Sequence, residues 1–173
     1  MATLIKKRRI SADSWQLLKP DPNSGLPEVP AAGDVIVPLA VWQAGRDTLL
    51  ARPGRTGVWL ESSEGPEAIA GDLEQFAVIA VNFPIVADGR GFSTARLLRE
   101  RYRFAGELRA IGDVLRDQLQ FLEQCGFDAF ALRDDQDAED ALHAFDDFSE
   151  AYQASATQPV PLFRRRLAAG TPS

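Results

Sequence analysis

The chain has 173 residues, 45% hydrophobic and 25% charged, with a net charge of −6, which fits one ordinary folded domain or a domain with an arm. A single cysteine and a single histidine exclude, for this chain alone, a disulfide framework, a four-thiolate iron–sulfur cluster, a zinc site of the usual Cys/His sets and a CxxC redox cycle. Charge is segregated: Asp134, Asp135, Asp137, Glu139, Asp140, Asp146, Asp147 and Glu150 share one stretch free of lysine and arginine, and removing these eight from −6 leaves +2 on the rest.

Residues 3–18 read as a hairpin, with Leu4, Ile5 and Ile10 before a turn at Ala12-Asp13-Ser14 and Trp15, Leu17 and Leu18 after it. The prolines between Pro20 and Pro30 then make an irregular linker. Val35-Ile36-Val37 is a short strand, and Pro38 opens a helix to about Leu50, because the first helical position needs no amide donor. Residues 57–61 read as a strand and residues 66–75 as a short helix. Ala77 to Asn82 is the most strand-like segment, continuously apolar up to Asn82, as in a parallel strand covered on both faces. A helix from Ser93, its expected N-cap, to Arg103 follows, and then a strand over 107–111. The next helix is expected to have Asp113 as its cap, Leu115, Leu119 and Leu122 as its apolar stripe and Gly126 as its stop. Residues 129–132 form a last strand, and Asp137 starts a helix with an apolar stripe of Ala138, Ala141, Leu142, Phe145, Phe148 and Tyr152.

This alternation predicts an α/β fold of repeated β-α units around a mainly parallel sheet. The sheet is either open and doubly wound or a partial, barrel-like (β/α) arrangement, with the curved form the expectation. The expected organisation is an N-terminal hairpin and linker over 1–30, an α/β domain over 31–153 and a flexible C-terminal arm over 154–173. No apolar run approaches the ~18 residues of a membrane span, and the charged start from Met1 to Arg9 has no apolar stretch behind it. The expectation is a cytoplasmic protein that binds neither membrane nor nucleic acid, given a pI of 4.8 and scattered basic groups.

In parallel α/β folds ligands bind on the loops at the carboxyl ends of the strands. That rule selects Asp88-Gly89-Arg90-Gly91 and Ser93, where glycines on both sides of Arg90 let backbone amides approach an anion and the guanidinium adds a donor fork. The bland alternative is an ordinary turn in which Arg90 pairs with Asp88. Arg109 shares one face of its strand with Glu107 by period-2 alternation and is a second candidate. Asp113 and Gln118 complete the set: the first serves equally as a helix cap, and the second is a polar residue on an apolar stripe that needs partners. Arg96, Arg99 and Arg103 form a helical stripe available to an acidic partner or to solvent. Cys125 on a core face and His143 among carboxylates have sufficient structural explanations. No Walker loop, GxGxxG fingerprint or Ser/His/Asp set is present, so whether the chain is an enzyme stays open.

Three ordered blocks resemble a known bacterial family. They are Phe83-Pro84 with Asp88 to Ser93 and Ala95 to Arg99, then Gly106 to Ala110 with Gly112 to Leu115 and Asp117-Gln118, and last Cys125 to Phe130. The similarity is to a domain-of-unknown-function family described as an oxidoreductase involved in sulfite reduction. The resemblance implies a place in assimilatory sulfate reduction, beside sulfite reductase or its electron donor. It carries over no catalytic residues and names no cofactor. Three functions follow: an auxiliary protein docking through the acidic helix or the arginine stripe, an enzyme taking sulfite or another small oxyanion at the Arg90 and Arg109 loops, or a non-catalytic binding module.

Overall fold

Strands that are apolar without alternation must be covered on both sides. Val35–Pro38 (β4), Thr56–Leu60 (β5), Val78–Phe83 (β6) and Glu107–Gly112 (β7) are buried along nearly their whole lengths. In the computed structural model, which describes residues 3–85 and 88–146, they form the middle of an eight-stranded sheet. Gln16–Leu17 (β3) and Ala129–Phe130 (β8) flank them, and β3 to β8 are all parallel and in sequence order. Thr3–Lys6 (β1) pairs antiparallel with β8, and Arg9–Ala12 (β2) antiparallel with β1.

Strand order decides between the two architectures. A doubly wound sheet reverses its order at a switch point, whereas here each parallel strand lies beside its predecessor. Right-handed crossovers in one direction put every connection on one face, and the sheet curls into a half-barrel with that face outward. The outer layer comprises Leu39–Ala51 (α1), Arg90–Arg96 (α2) running on into a wider π-type turn over Leu97–Arg101, Leu119–Cys125 (α3) and Ala138–His143 (α4). Val35, Val58, Ile79, Val81, Leu108 and Ala110 meet these helices in the main core. The alternate residues Ile36, Trp59, Val78, Ala80 and Ile111 point to the concave side and form a smaller cluster with Trp15 and Leu17.

The curl is enforced by covalent connection. β2 and β3 lie at opposite edges of the sheet, yet only Asp13, Ser14 and Trp15 join them. A flat sheet of this size would separate its edges by roughly 34 Å, and four Cα steps reach at most about 15 Å. The Trp59 indole fastens the far end by donating to the Leu18 carbonyl at 2.9 Å.

Several elements differ in detail from the expectations. The hairpin is present, but it turns at Lys7-Arg8, both at positive φ, so that Asp13 to Trp15 is the crossing rather than the turn. Residues 66–75 form two 3₁₀ turns, Pro66–Ile69 and Leu73–Gln75. The helix expected from Ser93 begins at Arg90, because the chain after Gly89 is already helical; Ser93 is an exposed second-turn residue and caps nothing. Asp113 is not a cap either: Arg116–Gln118 forms a 3₁₀ turn ahead of α3, and Leu115 lies outside the helix in extended backbone. Pro38 ends β4 and precedes α1. Gly126 at φ 119° closes α3, and the Asp137 side chain accepts the Asp140 N–H at 2.8 Å to cap α4. Phe148, Tyr152 and the arm expected over 154–173 lie outside the described residues.

Gly112 ends β7 at φ 92°, and a Cβ there would overlap the Phe83 carbonyl and the Asn82 side chain. Gly112→Ala is expected to lower the unfolding free energy by about 2–3 kcal/mol. Urea denaturation should show the midpoint falling with an unchanged slope.

Candidate functional site

An arginine inside a parallel strand has no water to solvate it, so its donors must find acceptors within the protein. Arg109, the third residue of β7, is 2% exposed. Its Nε and Nη2 donate to one oxygen of Glu107 at 2.8 and 2.7 Å, and its Nη1 donates to Asp13 at 2.8 Å. The second Glu107 oxygen accepts from Lys6 Nζ at 2.6 Å. Period-2 geometry explains the set: Glu107 and Arg109 share the concave face of β7, Lys6 comes from β1 two strands away, and Asp13 comes from the crossing. Two cations and two carboxylates thus balance on the concave side.

This network walls a cavity of about 370 Å³. Ala77, Gly106 and Asp128, which directly precede β6, β7 and β8, also line it, so the cavity lies at the amino end of the strands. Trp15 forms part of its wall beneath the Arg55 guanidinium, 4.8 Å from the ring centroid. Arg55 is held from outside by Asp34 at 2.6 Å. Burial pushes the Asp128 carboxyl above its ordinary pKa, against the opposing pull of the Leu108 N–H that it accepts at 2.8 Å and of nearby Arg99. Cations outnumber carboxylates along the lining, with Lys6, Lys7, Arg55 and Arg109 against Asp13, Glu107 and Asp128.

The carboxyl end of the sheet is arranged differently. Asp88 accepts from Arg90 Nε at 3.0 Å, from Nη2 at 2.8 Å and from the Arg90 N–H at 3.1 Å, and Arg90 Nη2 also donates to Ser62 at 3.0 Å. The guanidinium beside Asp88 holds that carboxyl well below its usual range. Gly91 is glycine for packing, since a Cβ would strike the Phe83 ring. Asp113 accepts from Arg133 at 2.7 Å, and Arg133 also holds Asp135, whose carboxyl is lowered to about 2. Gln118 Oε1 accepts the Leu115 N–H at 3.5 Å, bracing the turn before α3. Asp88, Gly89, Arg90, Gly91 and Ser93 therefore sit together at one end. Arg109, although in a neighbouring strand, turns its guanidinium to the other end, where it pairs with Glu107 and Asp13 while Arg90 pairs with Asp88 and Ser62.

Of the arginine stripe, Arg99 faces inward: it donates to the carbonyls of Gly126, Phe104 and Gly106 at 2.9, 2.8 and 2.8 Å. Arg96 pairs with Glu100 at 3.1 Å. Cys125 is 2% exposed, and burial pushes its thiol up to about 11. Lys6, Asp13 and Trp15 are site residues that sequence reasoning passed over. Their signals were faint, a lysine alternating with Leu4 in a strand and an aspartate that resembles any turn residue.

The family described as "Bacterial protein of unknown function (DUF934)" matches residues 57–163, a stretch that runs from the second residue of β5 through β8 with their connecting helices. No curated protein and no solved structure matches the chain.

Arg109→Met strands Glu107 and Asp13 as buried, partly unpaired carboxylates and is expected to cost about 3–5 kcal/mol. Arg90→Ala removes an ion pair whose guanidinium is exposed and, because Asp88 keeps its hydrogen bond from Ser62, should lower the denaturation midpoint only slightly. Cys125 gives a second reading. Its thiol ionises later in the folded than in the unfolded chain, so its contribution is fully present below the unfolded pKa near 9 and is lost as pH rises towards about 11. The wild-type midpoint should fall across that window and that of a folded Cys125→Ala variant should fall less.

Proposed function

The chain belongs to the bacterial DUF934 family, and on that premise we propose that it serves assimilatory sulfite reduction as an auxiliary protein docking on sulfite reductase or its electron donor. The pathway rests on the resemblance carried by the three ordered blocks around Arg90, Arg109 and Cys125. The auxiliary role is supported by the acid-rich surface around α4, the observation that carries the reading. Asp134, Asp137, Glu139, Asp140 and Asp146 are all exposed there; Asp140 pairs with Arg116 at 2.9 Å, and the acids in excess steer encounter with a basic partner and favour one orientation. The arginine stripe is the weaker contact, because Arg99 is spent on backbone carbonyls. The chain's one thiol is enclosed and hard to ionise, which speaks for an auxiliary role over thiolate chemistry at Cys125.

Purified protein should co-elute with sulfite reductase or its electron donor at low ionic strength and separate at high salt. The Asp134→Lys, Glu139→Lys double variant, altered only at exposed positions, should weaken that association about tenfold or more. A deletion strain should grow on cysteine but poorly on sulfate as sole sulfur source. Normal growth on sulfate overturns the pathway, and undiminished co-elution of the charge-reversed variant overturns the docking surface.

A further inference from the structure

We propose that the cavity at the amino end of the half-barrel binds a small oxyanion, and that the Asp13 carboxylate is a built-in occupant which the ligand displaces from Arg109. A buried ion-pair network contributes little stability beyond what apolar residues of the same volume would give. Arg109, Glu107 and Lys6 do not lie in a sealed core; they form the wall of a cavity of about 370 Å³, a size suited to a small molecule. Their presence beside open space is explained by what enters it.

The two carboxylates on Arg109 are not equivalent. Glu107 belongs to β7 and is tied from its other oxygen by Lys6, so the sheet fixes it in place. Asp13 stands on the three-residue crossing, in no strand. It reaches Arg109 with one oxygen and accepts the Trp15 N–H with the other at 3.1 Å. An incoming anion that takes over the Arg109 Nη1 donor leaves Asp13 free to swing out to water with little loss of structure. Lys6 and Lys7 and the hydroxyl-bearing Ser11 and Ser14 also line the space, supplying donors for the remaining oxygens. With Asp13 displaced, and with Arg55 already paired to Asp34, Lys6, Lys7 and Arg109 face Glu107 and Asp128, a balance of one positive charge that favours an anion over a neutral ligand. The carboxyl-end loop offers less, since Arg90 already spends its fork on Asp88 and Ser62. This site stands apart from the docking surface, and its test needs no partner protein.

The full-length protein is titrated calorimetrically with sulfate, sulfite and phosphate, with chloride at matched ionic strength as control. Trp15 fluorescence provides a second readout, because Trp15 lines the cavity while Trp42 and Trp59 are buried. Saturable binding of at least one oxyanion is expected, accompanied by a change in emission. Asp13→Asn should tighten it about tenfold by removing the competing charge, Lys6→Gln should weaken it about tenfold, and Arg90→Ala should bind like wild type. The proposal is overturned if neither wild type nor Asp13→Asn binds any of the three anions. It is equally overturned if Asp13→Asn binds no more tightly than wild type, or if Arg90→Ala loses binding that Lys6→Gln retains.

Discussion

Three residues set the shape of this protein. Because Asp13, Ser14 and Trp15 must join strands at opposite edges of an eight-stranded sheet, the sheet cannot lie flat, and its concave side is spanned by the connector. The connector is also anchored chemically, through Asp13 on Arg109, Trp15 beneath Arg55 and the Trp59 indole on the Leu18 carbonyl. Chain length imposes the curvature, and these contacts hold it at one value.

Curvature then separates the two ends of the sheet into different chemistries. At the carboxyl end the charged groups pair through exposed arginines, Arg90 with Asp88 and Arg133 with Asp113 and Asp135. At the amino end Arg109 and Glu107 are buried, and with Asp13 and the partly exposed Lys6 they share contacts among β7, β1 and the crossing. The fold places its most deeply buried charges, Arg109 and Glu107, beside an open cavity. The helix side remains a conventional apolar layer, so the unusual investment is confined to the concave face.

Much of this fold is legible in residues whose effects are local. The unbroken apolar run into Asn82 marked the central strand, Gly126 the end of α3 and Asp137 the start of α4, since each depends on backbone geometry within a few residues. The architecture was half legible: the alternation of elements gave the α/β class, while the edge-to-edge crossing that decides the curvature depends on pairings distant in sequence. The register of Ile5 with Phe130 has no local signature, and Asp13 looked like an ordinary turn residue for that reason. At the site, period-2 alternation put Glu107 and Arg109 on one face, but no local pattern indicates that the guanidinium turns to the amino end. Ser93 had the right chemistry for a cap and the wrong position, because the helix already begins at Arg90.

The pairing of β1 with β8 also orders events in time. Strand partners 125 positions apart cannot meet during synthesis until Phe130 has cleared the ribosome, a delay on the order of ten seconds at ordinary elongation rates. During that interval the β1–β2 hairpin can form but lacks its β8 partner. The first strand to emerge is therefore among the last to be seated. Closing the half-barrel is a late, non-local step of the kind that makes β-topologies slow to fold, and the buried charges are assembled only when the chain is nearly complete.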